Sequence, residues 1–166
     1  MLVTHNLFVP SKKDYVMGEK KPKVDCILCG ARDKNPDVAS LIVHETENFL
    51  VTCNLFPFNS GHIMIFPREH IEDVREIKKE HILELHELTT LSMNIVEKHY
   101  ECQGFNVGYN IGFSSGGSIR HLHLHIIPRY IREMGLIDIV GGAKIIVEDP
   151  NVTLKVLKEA FKEYRI

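Results

Sequence analysis

His121-Leu122-His123-Leu124-His125-Ile126-Ile127-Pro128-Arg129 is the stretch whose reading decides the fold. Imidazole and aliphatic side chains alternate over five positions before Pro128 ends the pattern, which is the period of a β-strand with one buried face. The three histidines then share that strand's other face. At about 3.3 Å per residue, neighbouring imidazoles root about 7 Å apart and the outer two about twice that, so one metal ion can take a neighbouring pair but hardly all three. A lone histidine on such a strand is most often part of a half-exposed surface; three in strict alternation point to chemistry. Just upstream stand Gly112, Gly116, Gly117 and Ser118. Without a Cβ in the way, backbone N–H groups of a glycine-rich loop can close on an anion. Such a loop feeding a strand of imidazoles predicts a phosphate site beside a base or nucleophile.

Composition bounds the rest. The 166 residues, 44% of them apolar, suffice for one core and one domain. A formal net charge of -2 gives no global field for a polyanion, so a nucleotide must be held by local charge and backbone amides, and nucleic acid is not an expected partner. No apolar run is long enough to span a bilayer, and Met1-Leu2-Val3-Thr4-His5 does not begin a signal peptide, so a cytoplasmic protein without a membrane partner is expected. Four cysteines are few for a disulfide scaffold, and Cys26-x-x-Cys29 in a reducing compartment suggests metal more than a bridge.

Along the chain, residues 1–40 read as an irregular N-terminal arm, broken by Pro10, Pro22 and Pro36 and anchored by Leu7-Phe8-Val9 and Ile27-Leu28. Within it Cys26-Ile27-Leu28-Cys29-Gly30 has the form of a knuckle, two thiolates on a tight turn whose glycine lets backbone amides face the sulfurs; zinc would need two further ligands. Residues 41–45 and 49–53 read as strands joined at Glu47-Asn48, 54–61 as a loop and 62–67 as a third strand. After a turn near Asp73, the residues Ile82, Leu85, Leu88, Ser92, Ile95, Val96 and His99 recur at helical spacing, predicting one long packing helix over about 79–100. His81, His86 and His99 on it read as surface or edge residues. Gln103-Gly104 ends that helix, and residues 105–110 form a fourth strand, joined through the glycine loop to an antiparallel fifth that carries the histidines. Gly135, Gly141-Gly142 and the apolar run 144–147 lead to a terminal helix over about 152–164, with Asn151 or Thr153 near its cap. Cys53 and Cys102 read as small apolar residues. The whole chain, 1–166, is expected to be one α+β domain, with an arm (1–40), a core (41–130) and a tail with its helix (131–166).

The ungapped run His-φ-His-φ-His-φ-φ, with φ apolar, resembles the signature of the histidine triad (HIT) family of nucleotide hydrolases and nucleotidyl transferases. That resemblance implies a twisted five-stranded antiparallel sheet covered by helices, in a homodimer. It implies that His123 is the nucleophile that attacks the α-phosphorus of a nucleotide to give a covalent nucleotidyl-histidine, that His125 bonds a phosphate oxygen, and that amides around Gly116, Gly117 and Ser118 meet the developing charge. Asn54, with His62 eight positions later, matches family positions that meet the nucleotide near its ribose and orient the triad. Asn110 stands where fragile histidine triad hydrolases carry a phosphate-touching glutamine, and Gly117 where many members carry glutamine. The pattern Asn-x-Gly-x-x-x-Gly-Gly-x-x-x-His-x-His-x-His resembles the family's diadenosine tetraphosphate phosphorylases, in which inorganic phosphate rather than water accepts the nucleotidyl group. Some branches, and the related galactose-1-phosphate uridylyltransferases, also hold a zinc ion; the matching positions here are Cys26, Cys29, His70 and His121, a closed and therefore structural donor set.

Three readings stand. The first is a nucleotidyl-transfer enzyme acting on dinucleoside polyphosphates by phosphorolysis or hydrolysis, or else on nucleoside phosphoramidates or other nucleotide conjugates. The second is a non-catalytic nucleotide-binding protein, against which the intact triad argues. The third is a metal-dependent hydrolase with His121 and His123 as ligands, for which the strand offers no carboxylate. Arg68, Arg120, Arg129 and Arg132 can meet polyphosphate but more often are solvated.

Overall fold

The computed structural model describes residues 22–131 and 148–164. Their elements, in chain order, are helix α1 (Ile27–Arg32), strands β1 (Ile42–Glu45), β2 (Phe49–Cys53) and β3 (Ile63–Pro67), helix α2 (Ile82–Tyr100), strands β4 (Gly104–Tyr109) and β5 (Leu124–Arg129), and helix α3 (Pro150–Lys162). Short 3-10 turns lie at Val74–Glu76, Lys79–His81 and Phe113–Ser115. The strands form one antiparallel sheet in the order β1-β2-β3-β5-β4, five-stranded as the resemblance implies, with β5 seated between β3 and β4. No helix among the described residues is long and apolar enough to cross a membrane.

The sheet sorts its side chains by the two-residue period. On one face Val51, Ile65, Leu124 and Ile126 pack against Leu88, Ile95 and Val96 of α2 and Leu157, Ala160 and Phe161 of α3. On the other, Leu50 and Phe66, paired in register, pack with Leu28 and Ala31 of α1 and with Val38. His125, opposite Met64 on β3, belongs to this second face.

Several expectations change. The arm is not wholly irregular: α1 lies inside it, capped by the Cys26 sulfur, which accepts from Cys29 N at 3.4 Å. Gly30 is a helical residue there, and its function is close approach rather than a turn, because a Cβ would stand 2.8 Å from Val38 Cγ2. The histidine stretch enters the sheet only at Leu124; His121 to His123 precede the ladder because Leu122 N–H bonds Ile71 O (2.7 Å) instead of a neighbouring strand. Nor is one face left open, since His121 and His123 are buried like Leu122 and Leu124. On α2 the buried stripe is Leu88, Ser92, Ile95 and Val96. Ile82, expected on that stripe, is six residues before Leu88, well round the helix from it, and is 54% exposed; His99, in the last turn, is also exposed. The cap of α3 is Asp149, whose side chain accepts from Asn151 N (2.8 Å) ahead of Pro150, rather than Asn151 or Thr153. The readings at Leu7-Phe8-Val9, Arg132, Gly135, Gly141-Gly142 and 144–147 lie outside the described residues.

Gly30→Ala should destabilise the fold by about 1–3 kcal/mol, the usual cost of an overpacked contact. In denaturant titrations Val38→Ala should relieve part of that loss, so that the double variant costs less than the two singles added; strict additivity would contradict the contact.

Candidate functional site

Two clusters of titratable side chains meet at residues 121–125. The first joins α1, the segment after β3 and His121. His121 Nε2 lies 2.9 Å from Pro67 O. A carbonyl only accepts, so Nε2 carries the proton and Nδ1 presents its lone pair. That lone pair lies 3.3 Å from Cys26 Sγ and 3.5 Å from Cys29 Sγ, and His70 Nδ1 lies 3.3 Å from Cys29 Sγ. The four donor atoms all fall within 4.8 Å of one another. Tetrahedral zinc, with bonds of about 2.3 Å to sulfur and 2.0–2.1 Å to nitrogen, sets sulfur and nitrogen about 3.5 Å apart. The residues therefore fit such an ion with little movement. Burial, reinforced by the neighbouring Cys26 sulfur, pushes the Cys29 thiol up to about 11, and burial is the main cause holding His121 down at about 4. The neutral His121 offers its lone pair as it stands, whereas the Cys29 thiol would have to release its proton to act as a ligand.

The second cluster holds the other two histidines of the stretch. His123 is 5% exposed, and its Nδ1 stands 2.6 Å from His121 O. By the same argument Nδ1–H donates and Nε2 is left with the lone pair. Burial lowers the His123 pKa from the ordinary imidazole value, so the ring is neutral near pH 7. His125 belongs to a chain of donors that begins in the backbone. Phe58 N–H donates to His62 Nδ1 at 3.0 Å, so the His62 proton is on Nε2, which donates to His125 Nδ1 at 2.9 Å. The remaining His125 proton is then on Nε2, a buried atom without a hydrogen-bond partner among the described residues. One neutral histidine thus offers a lone pair and its neighbour a proton, with ring centroids 4.8 Å apart.

Around them, Phe58 stacks on His62 (centroids 5.5 Å, 21° between planes) and turns toward the His125 edge at 6.4 Å. Asn54 Nδ2 lies 3.5 Å from His62 Nε2, and its Oδ1 accepts from Phe56 N (2.9 Å). The loop between β4 and β5 is exposed, with Gly112 (φ 82°) and Gly116 (φ 83°) in the left-handed region that favours glycine. A Cβ on Gly117 would stand 3.2 Å from Asn110 Cβ, so the loop rests on Asn110 and a glycine there in place of glutamine has a steric reason. Gly116, Gly117 and Ser118 are all exposed. Cys53 is buried, its thiol pushed up to about 12 chiefly by desolvation, and Cys102 is buried too; neither joins a cluster. Arg68 is engaged with Glu45 and Thr46 O, and Arg129 bonds Asn106.

Sequence reading passed over Phe58, Asn59, Tyr100 and Tyr130, which carry no motif of their own. Only the tight Asn59-Ser60-Gly61 run beside His62 could have drawn attention to the loop. A separate cavity of about 690 Å³ opens between the β1–β2 turn, α2 and α3, lined by His44, Glu84, Glu87, Phe161 and Tyr164 among others. It contains none of the clustered histidines, and its carboxylates make it the wrong sign for phosphate.

The HIT domain family model matches residues 35–131. An AP-4-A phosphorylase of Mycobacterium tuberculosis (strain ATCC 25618 / H37Rv) is 33% identical over 111 residues, covering 66% of this chain and 57% of that protein. A bis(5'-adenosyl)-triphosphatase of Dictyostelium discoideum is 30% identical over 90 residues, covering 54% of this chain and 60% of that protein. The chain thus spans under two thirds of the length of these relatives. Among solved structures, a hypothetical histidine triad nucleotide-binding protein from Sulfolobus tokodaii superposes with a TM-score of 0.68 at 23% identity, over 83% of this chain and 93% of that one. A Zn-bound histidine triad family protein from Mycobacterium smegmatis does so with a TM-score of 0.67 at 20% identity, over 84% and 94%.

Burial, followed by the nearby histidines, pushes His62 down to about 3 and His125 to about 4. Below pH 6.5 the unfolded chain binds protons that these folded sites refuse, so stability is full above that value and declines as pH falls toward 4. The midpoint of thermal unfolding should therefore drop between about pH 7 and about pH 4, and less steeply in His62→Gln; equal slopes in the two proteins would contradict neutral burial of His62.

Proposed function

Since this chain belongs to the HIT domain family, we propose that it is a nucleotidyl-transfer enzyme in which His123 attacks the α-phosphorus of a dinucleoside polyphosphate. The carrying observation is the 2.6 Å contact of His123 Nδ1 with His121 O, which leaves Nε2 as a fixed, neutral nucleophile. An imidazole so held spends no free energy on finding its tautomer or orientation in the reaction step.

In the first step the Nε2 lone pair forms the P–N bond while the bond from the α-phosphorus to the bridging oxygen breaks. The remaining polyphosphate leaves with that electron pair. His125 Nε2–H donates to a phosphate oxygen as negative charge grows there, and amides of Gly116, Gly117 and Ser118 stabilise the same charge. In the second step an acceptor oxygen attacks phosphorus and the P–N pair returns to His123. Dividing one displacement into two lets the same groups serve both. Asn54 and Asn110 are assigned to substrate binding beside this centre, and His62 to holding His125.

Cys26, Cys29, His70 and His121 are assigned to zinc. A closed donor set of two thiolates and two imidazoles leaves no position for an attacking water, so zinc would supply cross-linking of α1 to the residues before β5. The third reading, with His123 as a ligand, is disfavoured because His123 Nδ1 is committed to a carbonyl and the ring lies outside the converging set. The single reading that shares the site without the chemistry is nucleotide binding alone, and the loss of turnover in a His123 variant separates the two.

Incubated with diadenosine tetraphosphate, the purified protein should release ATP together with ADP if phosphate is the acceptor, or with AMP if water is. His123→Ala should lower turnover by about 10³-fold or more, as expected when a covalent path is closed; chromatography of the products with and without phosphate reads both. Unchanged turnover in His123→Ala would contradict the nucleophile. Elemental analysis should find one zinc per chain, lost in Cys29→Ala together with thermal stability, whereas a metal-free wild type of equal stability would contradict the zinc assignment.

A further inference from the structure

We propose that Asn59 is a positioning residue for the reaction proposed above, on which this inference rests: it holds the Phe58 amide on His62 and thereby keeps His125 a hydrogen-bond donor. Asn59 is 5% exposed, and its Nδ2 donates to Pro128 O at 2.6 Å. Pro128 lies on β5, three residues past His125. Asn59 O in turn accepts from His62 N at 3.1 Å. One buried side chain therefore ties the 54–61 loop to the strand of His125, while its own carbonyl ties the loop to His62.

The loop is braced around that tie. Tyr130 Oη donates to Ser60 O (2.8 Å), and Gly61, at φ 79°, lies so close on the Tyr100 ring that a Cβ would stand 3.1 Å from Cδ2. Between these contacts Phe58 N–H is aimed at His62 Nδ1. A peptide N–H cannot reverse its polarity, whereas both imidazoles can. With that amide in place, His62 must donate through Nε2 and His125 must carry its proton on Nε2, toward the reaction. If the amide withdraws, Nδ1 of His62 is free to take the proton. Nε2 of His62 then accepts, His125 Nδ1 donates to it, and His125 Nε2 is left with a lone pair that repels phosphate oxygens. The donor is lost although no group that touches the substrate has changed.

The experiment combines nitrogen-detected imidazole spectra with steady-state kinetics on diadenosine tetraphosphate, for wild type, Asn59→Leu and Asn59→Ser. In the wild type His62 and His125 should each show one tautomer, protonated at Nε2. In Asn59→Leu, which removes the donor at similar volume, both should become mixtures, and kcat should fall on the order of 10²-fold with KM little changed, as for a misplaced catalytic group. If Asn59→Leu does not fold, Asn59→Ser, too short to reach Pro128 O, carries the same expectation. Wild-type His62 protonated at Nδ1 would overturn the proposal, as would a folded variant with unaltered tautomers or unaltered kcat. A wild type that shows the expected tautomers but turns over no nucleotide would instead defeat the reaction assigned to the site.

Discussion

The hydrogen bond from His123 Nδ1 to the carbonyl of His121 is the contact on which the site depends, because it decides which nitrogen of a buried ring keeps its lone pair. The geometry follows from backbone that has not yet entered the sheet. Leu122 N–H is drawn to Ile71 O, so residues 121–123 are held by the segment after β3 rather than by a strand ladder. His121 is fastened at both ring nitrogens and at its carbonyl: Nε2 to Pro67 O, Nδ1 to two sulfurs, and O to the next histidine. The side chain that completes the sulfur cluster and the carbonyl that aims the next imidazole thus belong to one residue.

Burial has a second consequence. A histidine in water is half protonated near pH 6.5, which suits a switch but wastes a nucleophile. Here desolvation keeps His62, His123 and His125 neutral. Neutral imidazoles have one donor and one acceptor each, so their polarity must be imposed from outside, and backbone groups impose it: a carbonyl on His123 and an amide on His62. The glycine loop differs in kind, since Gly116, Gly117 and Ser118 are exposed and carry no titrating group.

Much of this was legible in the chain. The positions of the five strands along the chain, the long helix and the five-position alternation are local patterns, and local patterns survive folding, whereas the pairing of β5 with β3 is not local and was not legible. The convergence of Cys26 and Cys29 with His70 and His121 across more than ninety positions followed only from family resemblance, because no spacing rule connects such distant donors. Other features were not legible for physical reasons. Helix α1 is short, contains Gly30 and is capped by a thiol, so neither propensity nor the usual oxygen cap announces it. The start of β5 depends on Ile71, fifty positions away, and the apolar spacing of Ile82 concealed that the first turn of α2 faces solvent. Asn59 reads as an ordinary turn residue until its amide is seen on Pro128.

If His123 attacks phosphorus, each turnover passes through a covalent bond between its imidazole and the nucleotide, and that bond can be trapped. The protein is mixed with diadenosine tetraphosphate, quenched within a turnover in alkali, where a phosphorus–nitrogen bond persists, and weighed intact and as peptides. A mass increase of one adenylyl group is expected, confined to the peptide that carries His123 and absent from His123→Ala. Turnover at full rate with no adduct, or an adduct that persists in His123→Ala, would contradict it.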